Sequence, residues 1–154
     1  MNIQSLGPYI KTTNDAMELS QVLDQISENL FKTDASAMES VLKEVPYDLG
    51  MALNKLAAEH NIGMEDKGHV QQFFVKLQED LTAMPVVKLT VAVKPKAELI
   101  KMIHEWFYRT YHKVVLLDIT VNPEILGGSI VSVGGKYYDG SIKKRITGGN
   151  ASKA

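Results

Sequence analysis

The chain has no cysteine among its 154 residues, so disulfides, thiolate nucleophiles and cysteine-held metals play no part in it. It has no apolar run near the roughly 20 residues that a membrane-crossing helix needs. Its opening residues, MNIQSLGPYI, lack the basic and apolar regions of a secretory signal. A cytoplasmic protein is expected, meeting a membrane only through its partners. Catalytic signatures are missing as well. His60, His69, His104 and His112 form neither HxxxH nor HExxH and have no carboxylate cluster beside them. No metal site is expected, and the four read as surface or half-buried histidines. Gly134-Gly135-Lys136 resembles the end of a phosphate loop, yet Ile130 stands where that loop needs glycine and Tyr137 where it needs serine or threonine. No catalytic residue and no cofactor is expected. Asn150-Ala151-Ser152 has the form of a glycosylation sequon, which has no use without secretion.

What the chain does have is a sharp division of charge. The net value of -1 conceals 6 Lys/Arg against 13 Asp/Glu in residues 1–84, and 11 against 5 from residue 85 onward. The border falls at Met84-Pro85. Either the two parts have different partners, or they attract each other.

The acidic part reads as helices. Leu19, Val22, Leu23, Ile26 and Leu30 share one helix face, with Asn14 as cap and Asp15 and Glu18 in the first turn. A second helix is expected from near Asp34 through Met38, Val41, Leu42 and Val45, stopped or kinked by Pro46. Leu49, Ala52, Leu53, Leu56 and Ala57 make a third stripe up to Asn61 and Gly63. Val70, Phe73, Phe74, Leu77, Leu81 and Met84 make a fourth. Four amphipathic helices in water must share a core, so an all-α bundle over 1–84 is expected.

The basic part changes period. Val87, Leu89, Val91 and Val93 alternate with polar or small residues as in a half-buried strand. Pro95 opens a helix whose apolar face is expected to be Leu99, Met102, Ile103, Trp106 and Phe107. Val114–Val121 reads as a strand with Val115, Leu117, Ile119 and Val121 on one side. In the stretch that follows, Asn122 is a good helix cap, Pro123 suits a first helical position, and Gly127 is expected to end the turn in the left-handed region. Ser129–Val133 is a strand, and Gly134-Gly135 a two-residue hairpin turn that needs positive φ twice. Lys136 to Tyr138 is the returning strand. Asp139-Gly140 turns again, and Ser141 caps a last helix carrying Lys143, Lys144 and Arg145. The order β-α-β-β-β-α over 85–147 defines a small α/β domain behind the bundle, giving an α+β chain with a flexible tail over 148–154.

This succession, NPEILGG, an apolar strand, YDGS and a basic helix, resembles the C-terminal signature of the delta subunit of the rotary F-type ATP synthase, the family of the oligomycin-sensitivity-conferring protein. The matching residues are Asn122, Pro123, Ile125, Leu126, Gly127 and Gly128, then Tyr138, Asp139, Gly140, Ser141 and Arg145. Asn122 stands where the family usually has aspartate, and a weaker likeness extends upstream over Val86 to Val121. The resemblance implies a non-catalytic stator subunit at the cytoplasmic face of the cell membrane. Its helical domain would grip the N-termini of the alpha subunits of the catalytic head, and its C-terminal domain the C-terminal helix of the b subunit. Family members usually have a longer six-helix bundle with an early A-x-x-Y-A-x-A-L helix, which is missing here.

Two groups of residues are candidate interaction sites. Tyr108, Arg109 and Tyr111 have the composition of protein interfaces, while Trp106 and Phe107 beside them are assigned to the core. Lys143, Lys144 and Arg145 could meet acidic helices. The rival reading is a nucleic-acid module, with the basic domain on phosphates and Tyr137 or Tyr138 stacking on bases.

Overall fold

The computed structural model describes residues 3–32, 36–63 and 65–149, which form two compact units. The first runs to Ile10 and again from Asn14 to Met84; the second joins Lys11–Thr13 to the chain from Pro85 onward.

The first unit opens with a 3-10 turn, Ile3–Leu6, which buries Leu6 and leads to the buried Ile10. Four helices follow: α1 (Thr13–Asn29), α2 (Ala37–Glu44), α3 (Tyr47–Glu59) and α4 (Lys67–Thr82). Helix α1 starts at Thr13, so Asn14 lies within its first turn rather than capping it. Leu19, Leu23 and Ile26 face inward, with Leu30 just beyond the helix. The expected start of the second helix at Asp34 lies outside the described residues, as does the side chain of Met38. The observed cap is Ser36, which takes part in a capping box with Glu39: Ser36 Oγ accepts from the Glu39 N–H at 3.2 Å, and the Ser36 N–H donates to Glu39 Oε2 at 3.1 Å. Pro46 separates α2 from α3. Gly50 is buried where a Cβ would lie 2.7 Å from Leu42 Cδ2, so its bareness lets α3 lie close to α2. Asn61, at φ 58°, ends the turn after α3.

Helix α4 is the core element. Val70, Phe73, Phe74, Leu77 and Leu81 are all buried, and Gln78 Nε2 ties the helix to α1 by donating to Ser20 O at 3.0 Å and to Asp24 Oδ1 at 2.8 Å. Asp66 caps it, accepting from the N–H groups of Gly68 and His69 at 3.0 and 3.1 Å.

The second unit is a four-stranded mixed sheet with helices. Its elements are β1 (Val86–Val91), α5 (Ala97–Tyr111), β2 (Leu116–Val121), β3 (Ser129–Val133), β4 (Lys136–Asp139) and α6 (Ile142–Gly149), and the spatial order is β2-β1-β3-β4. β1 and β2 run parallel with Leu89 beside Ile119, and α5 is the crossover between them. β3 and β4 are added antiparallel, with Leu89 beside Val131 and Val131 beside Tyr138. A short segment not expected from the sequence lengthens the β2 edge. Thr12 bridges Leu117 in parallel, and the Leu117 N–H donates to Lys11 O at 2.8 Å. Val93 lies beyond the end of β1 and is exposed.

The sheet core is Val87, Val115, Leu117 and Phe107, with Ile100, Ile103, Ile119, Val131 and Val133 packed against it. This corrects the expected face of α5. Ile103 and Phe107 do face the sheet, but Leu99, Met102 and Trp106 are exposed, and Ile100 and His104 take inward places. The helix is apolar over a wider arc than one sheet face can cover. His104, only 6% exposed, is therefore a core residue rather than a half-buried one.

Truncating Phe74 to Ala should destabilise the first unit by about 3–5 kcal/mol, whereas Val75→Ala on the exposed side of α4 should stay within about 0.5 kcal/mol. Urea unfolding followed by circular dichroism measures both.

Candidate interaction surfaces of the C-terminal unit

The NPEILGG stretch is built around one cap and one unusual residue. Asn122 Oδ1 accepts from the Glu124 N–H at 3.0 Å and starts a 3-10 turn, Pro123–Ile125, that buries Ile125. The left-handed position after the turn belongs to Leu126, at φ 64° and ψ -9°, and not to Gly127 as expected. The Leu126 N–H closes the turn on Pro123 O at 3.0 Å, one residue earlier than an α-helical turn would close. Gly127, at φ 143°, and Gly128, at φ 72°, then serve a different purpose. A Cβ on Gly128 would run into the carbonyl of Gly140, and one on Gly127 would sit 2.7 Å from Ile142 Cδ1. The two strands of chain are stitched together there: the Gly140 N–H donates to Ser129 O at 2.9 Å, and the Ile142 N–H to Gly127 O at 3.0 Å.

Asp139 and Ser141 complete this lock. Asp139 Oδ1 accepts from the Ser141 N–H at 2.9 Å, and the buried Ser141 Oγ accepts from the Lys144 N–H at 3.1 Å, capping α6. The Asp139 carboxyl is held below its usual 3.8, first by the Ser141 hydroxyl, then by the Ser141 N–H, with a smaller pull from Lys144. Gly134 and Gly135, at φ 55° and 77°, make the hairpin turn between β3 and β4.

The lock holds up α6, whose Lys143, Lys144 and Arg145 are all exposed beside the exposed Ile142 and Ile146. No acidic residue lies in the helix. On α5, Tyr108, Arg109 and Tyr111 are also exposed, and of the two tyrosines Tyr111 is the one in ring contact with its neighbours. Tyr111 stacks on Phe107 at 5.8 Å and meets the Trp106 ring edge-on at 6.1 Å, while Trp106 and Phe107 are edge-to-face at 4.9 Å. Tyr108 shares none of these ring contacts. The sequence reading missed Trp106 as a surface residue, because an indole at helical spacing beside Phe107 reads as core. Tyr137 and Tyr138 are exposed on alternate faces of β4.

Among the described residues no group of three or more His, Cys, Asp or Glu side chains could hold a metal, and no helix is long and apolar enough to cross a membrane. Fold and surface together define a two-unit α+β protein whose distinctive features are backbone locks and exposed side chains. The chain belongs to the ATP synthase delta (OSCP) subunit family, whose model matches residues 11–151. Relatives include an ATP synthase subunit delta of Carboxydothermus hydrogenoformans, 38% identical over 74 residues, which are 48% of this chain and 41% of that protein. One of Brevibacillus brevis is 30% identical over 77 residues, 50% of this chain and 44% of that protein. The match thus spans less than half the length of either. A chloroplastic subunit delta of Emiliania huxleyi is similar over more of its length, 27% identical over 150 residues, covering 88% of this chain and 81% of that one.

Ser141→Ala should cost about 1 kcal/mol through the lost cap. Because the Asp139 carboxyl titrates lower in the folded than in the unfolded chain, its ionised form favours folding above pH 3.8, and that contribution fades as pH falls through the lowered folded value. Asp139→Ala should therefore lower the melting temperature at neutral pH, with the gap to wild type narrowing below pH 3.8, as read by thermal melts across pH.

Proposed function

We propose that this chain is the non-catalytic stator subunit that ties the catalytic head of a proton-translocating ATP synthase to its membrane-anchored b stalk. In this reading the acidic helical unit grips the N-terminal segments of the alpha subunits, and the basic α+β unit holds the C-terminal helix of b. The protein then sits peripherally at the cytoplasmic face of the cell membrane. It performs no reaction, and its work is to stop the head from turning with the rotor, so that proton flow drives ATP synthesis.

The observation that carries the reading is a family match running through both units rather than one of them. Charge supports it. A negative first unit and a positive second unit suit two different partners. Two attachments on one chain reinforce each other through effective concentration, so neither interface has to be large for the whole to hold. The exposed cations of α6 suit an acidic helical partner, and such contacts weaken with salt.

Affinity purification of the tagged full chain from mildly solubilised membranes should recover head and stalk subunits together. Recovery of RNA instead, with affinity falling steeply as salt rises, would favour the nucleic-acid reading. Reversing Lys143, Lys144 and Arg145 to Glu in one variant should reduce recovery of the stalk subunit while leaving the melting temperature within a degree or two, since all three side chains are exposed. Unchanged recovery would remove α6 from the interface.

A further inference from the structure

Asp139-Gly140 is the one place in the chain where an aspartate or asparagine is followed by glycine. Such pairs are the sequences most prone to rearrange to isoaspartate, because a glycine has no side chain to hinder attack by its own backbone nitrogen. The Gly140 nitrogen adds to the side-chain carboxyl carbon of Asp139. An N–C bond forms, a C–O bond breaks, and the oxygen leaves as water with the amide proton, closing a succinimide ring. Water then opens the ring at the former main-chain carbonyl. The chain now runs through the side chain of residue 139, with one more methylene in its backbone and no net change in composition. Neither an oxidant nor an enzyme is required.

In the folded chain the lock opposes each part of that reaction. The attacking nitrogen is committed to the sheet, since the Gly140 N–H donates to Ser129 O at 2.9 Å. The carboxyl it must reach is turned to the next residue, with Oδ1 accepting from the Ser141 N–H at 2.9 Å. That carboxyl is held below its usual 3.8, which lowers the share of the neutral acid, the form whose hydroxyl can leave. The peptide also has no room to turn. A Cβ on Gly128 would run into the Gly140 carbonyl oxygen and lie 3.3 Å from Ser141 Cα, so nothing but the bare glycine fits against this bond.

We infer that Asp139-Gly140 is a latent isoaspartate site, held unreactive by the close approach of Gly128 to Gly140, and that a chain whose lock opens is covalently damaged at this position. The added methylene cannot keep both the Gly140 N–H on Ser129 O and the Ser141 hydroxyl at the start of α6. One event therefore removes the cap of the helix that carries Lys143, Lys144 and Arg145. The inference is independent of the stator reading, since it needs no partner.

The test ages the full-length protein for several weeks at neutral pH and physiological temperature, then counts isoaspartate at residue 139 by digestion and electron-transfer fragmentation. Rearrangement in the native chain proceeds only through opened molecules, so it should be at least about tenfold slower than in the same chain unfolded in urea. Ser141→Ala, which removes the α6 cap but leaves the bond intact, should speed the native reaction several-fold, and Gly128→Ala should bring it close to the unfolded rate. Gly140→Ala should show little product even in urea. Equal rates for native and unfolded wild type, or a native rate unchanged in Ser141→Ala, would overturn the protection by the lock. Absence of isoaspartate in urea would overturn the site itself.

Discussion

The close approach of Gly128 to Gly140 is the constraint on which the C-terminal unit depends. There is no room for a side chain between them, and Gly128 sits at a positive φ that any other residue would adopt only under strain. That approach brings the start of β3 against the turn after β4, lets the Gly140 N–H reach Ser129 O, and delivers Ser141 to the mouth of α6. The basic helix is a consequence of the lock. It keeps its cations outside because its N-terminal end is fixed by Asp139, Ser141 and Gly127. A family signature that looks like a string of turn residues is thus a single backbone junction, read twice along the chain.

Much of this could be seen in the sequence, and where it could not the reasons are physical. Period decided the larger elements: Val70, Phe73, Phe74, Leu77 and Leu81 can share one face only on a helix, and Val87, Leu89 and Val91 only on a strand. Caps were legible where one residue type serves one purpose, as at Asn122 and Ser141. Gly127 misled because glycine is the usual left-handed residue at a helix end, yet here the short 3-10 turn closes one residue earlier and Leu126 takes the conformation. Trp106 misled because amphipathic spacing says which residues share a face and not how wide the opposing sheet is. The Lys11–Thr12 pairing was invisible to any local pattern, since two residues carry no period and their partner lies a hundred positions away.

Under the proposed stator role the two units have complementary tasks. In that role, opposite charge on the two parts of the chain would steer each to a different partner and discourage the wrong pairing, because like charge brought together costs more than a lost contact. Neither unit needs reactive chemistry for that. Backbone locks, a capped basic helix and the packed rings of Trp106, Phe107 and Tyr111 are rigid features, which suit the proposed stator role.

The most direct test of that claim is coupled ATP synthesis. Membrane vesicles stripped of this subunit should show little synthesis under an imposed proton gradient while the detached head still hydrolyses ATP, and adding back the full-length protein should restore synthesis. Restored head attachment and synthesis would establish a coupling role. Vesicles whose synthesis is the same with and without the protein would contradict it.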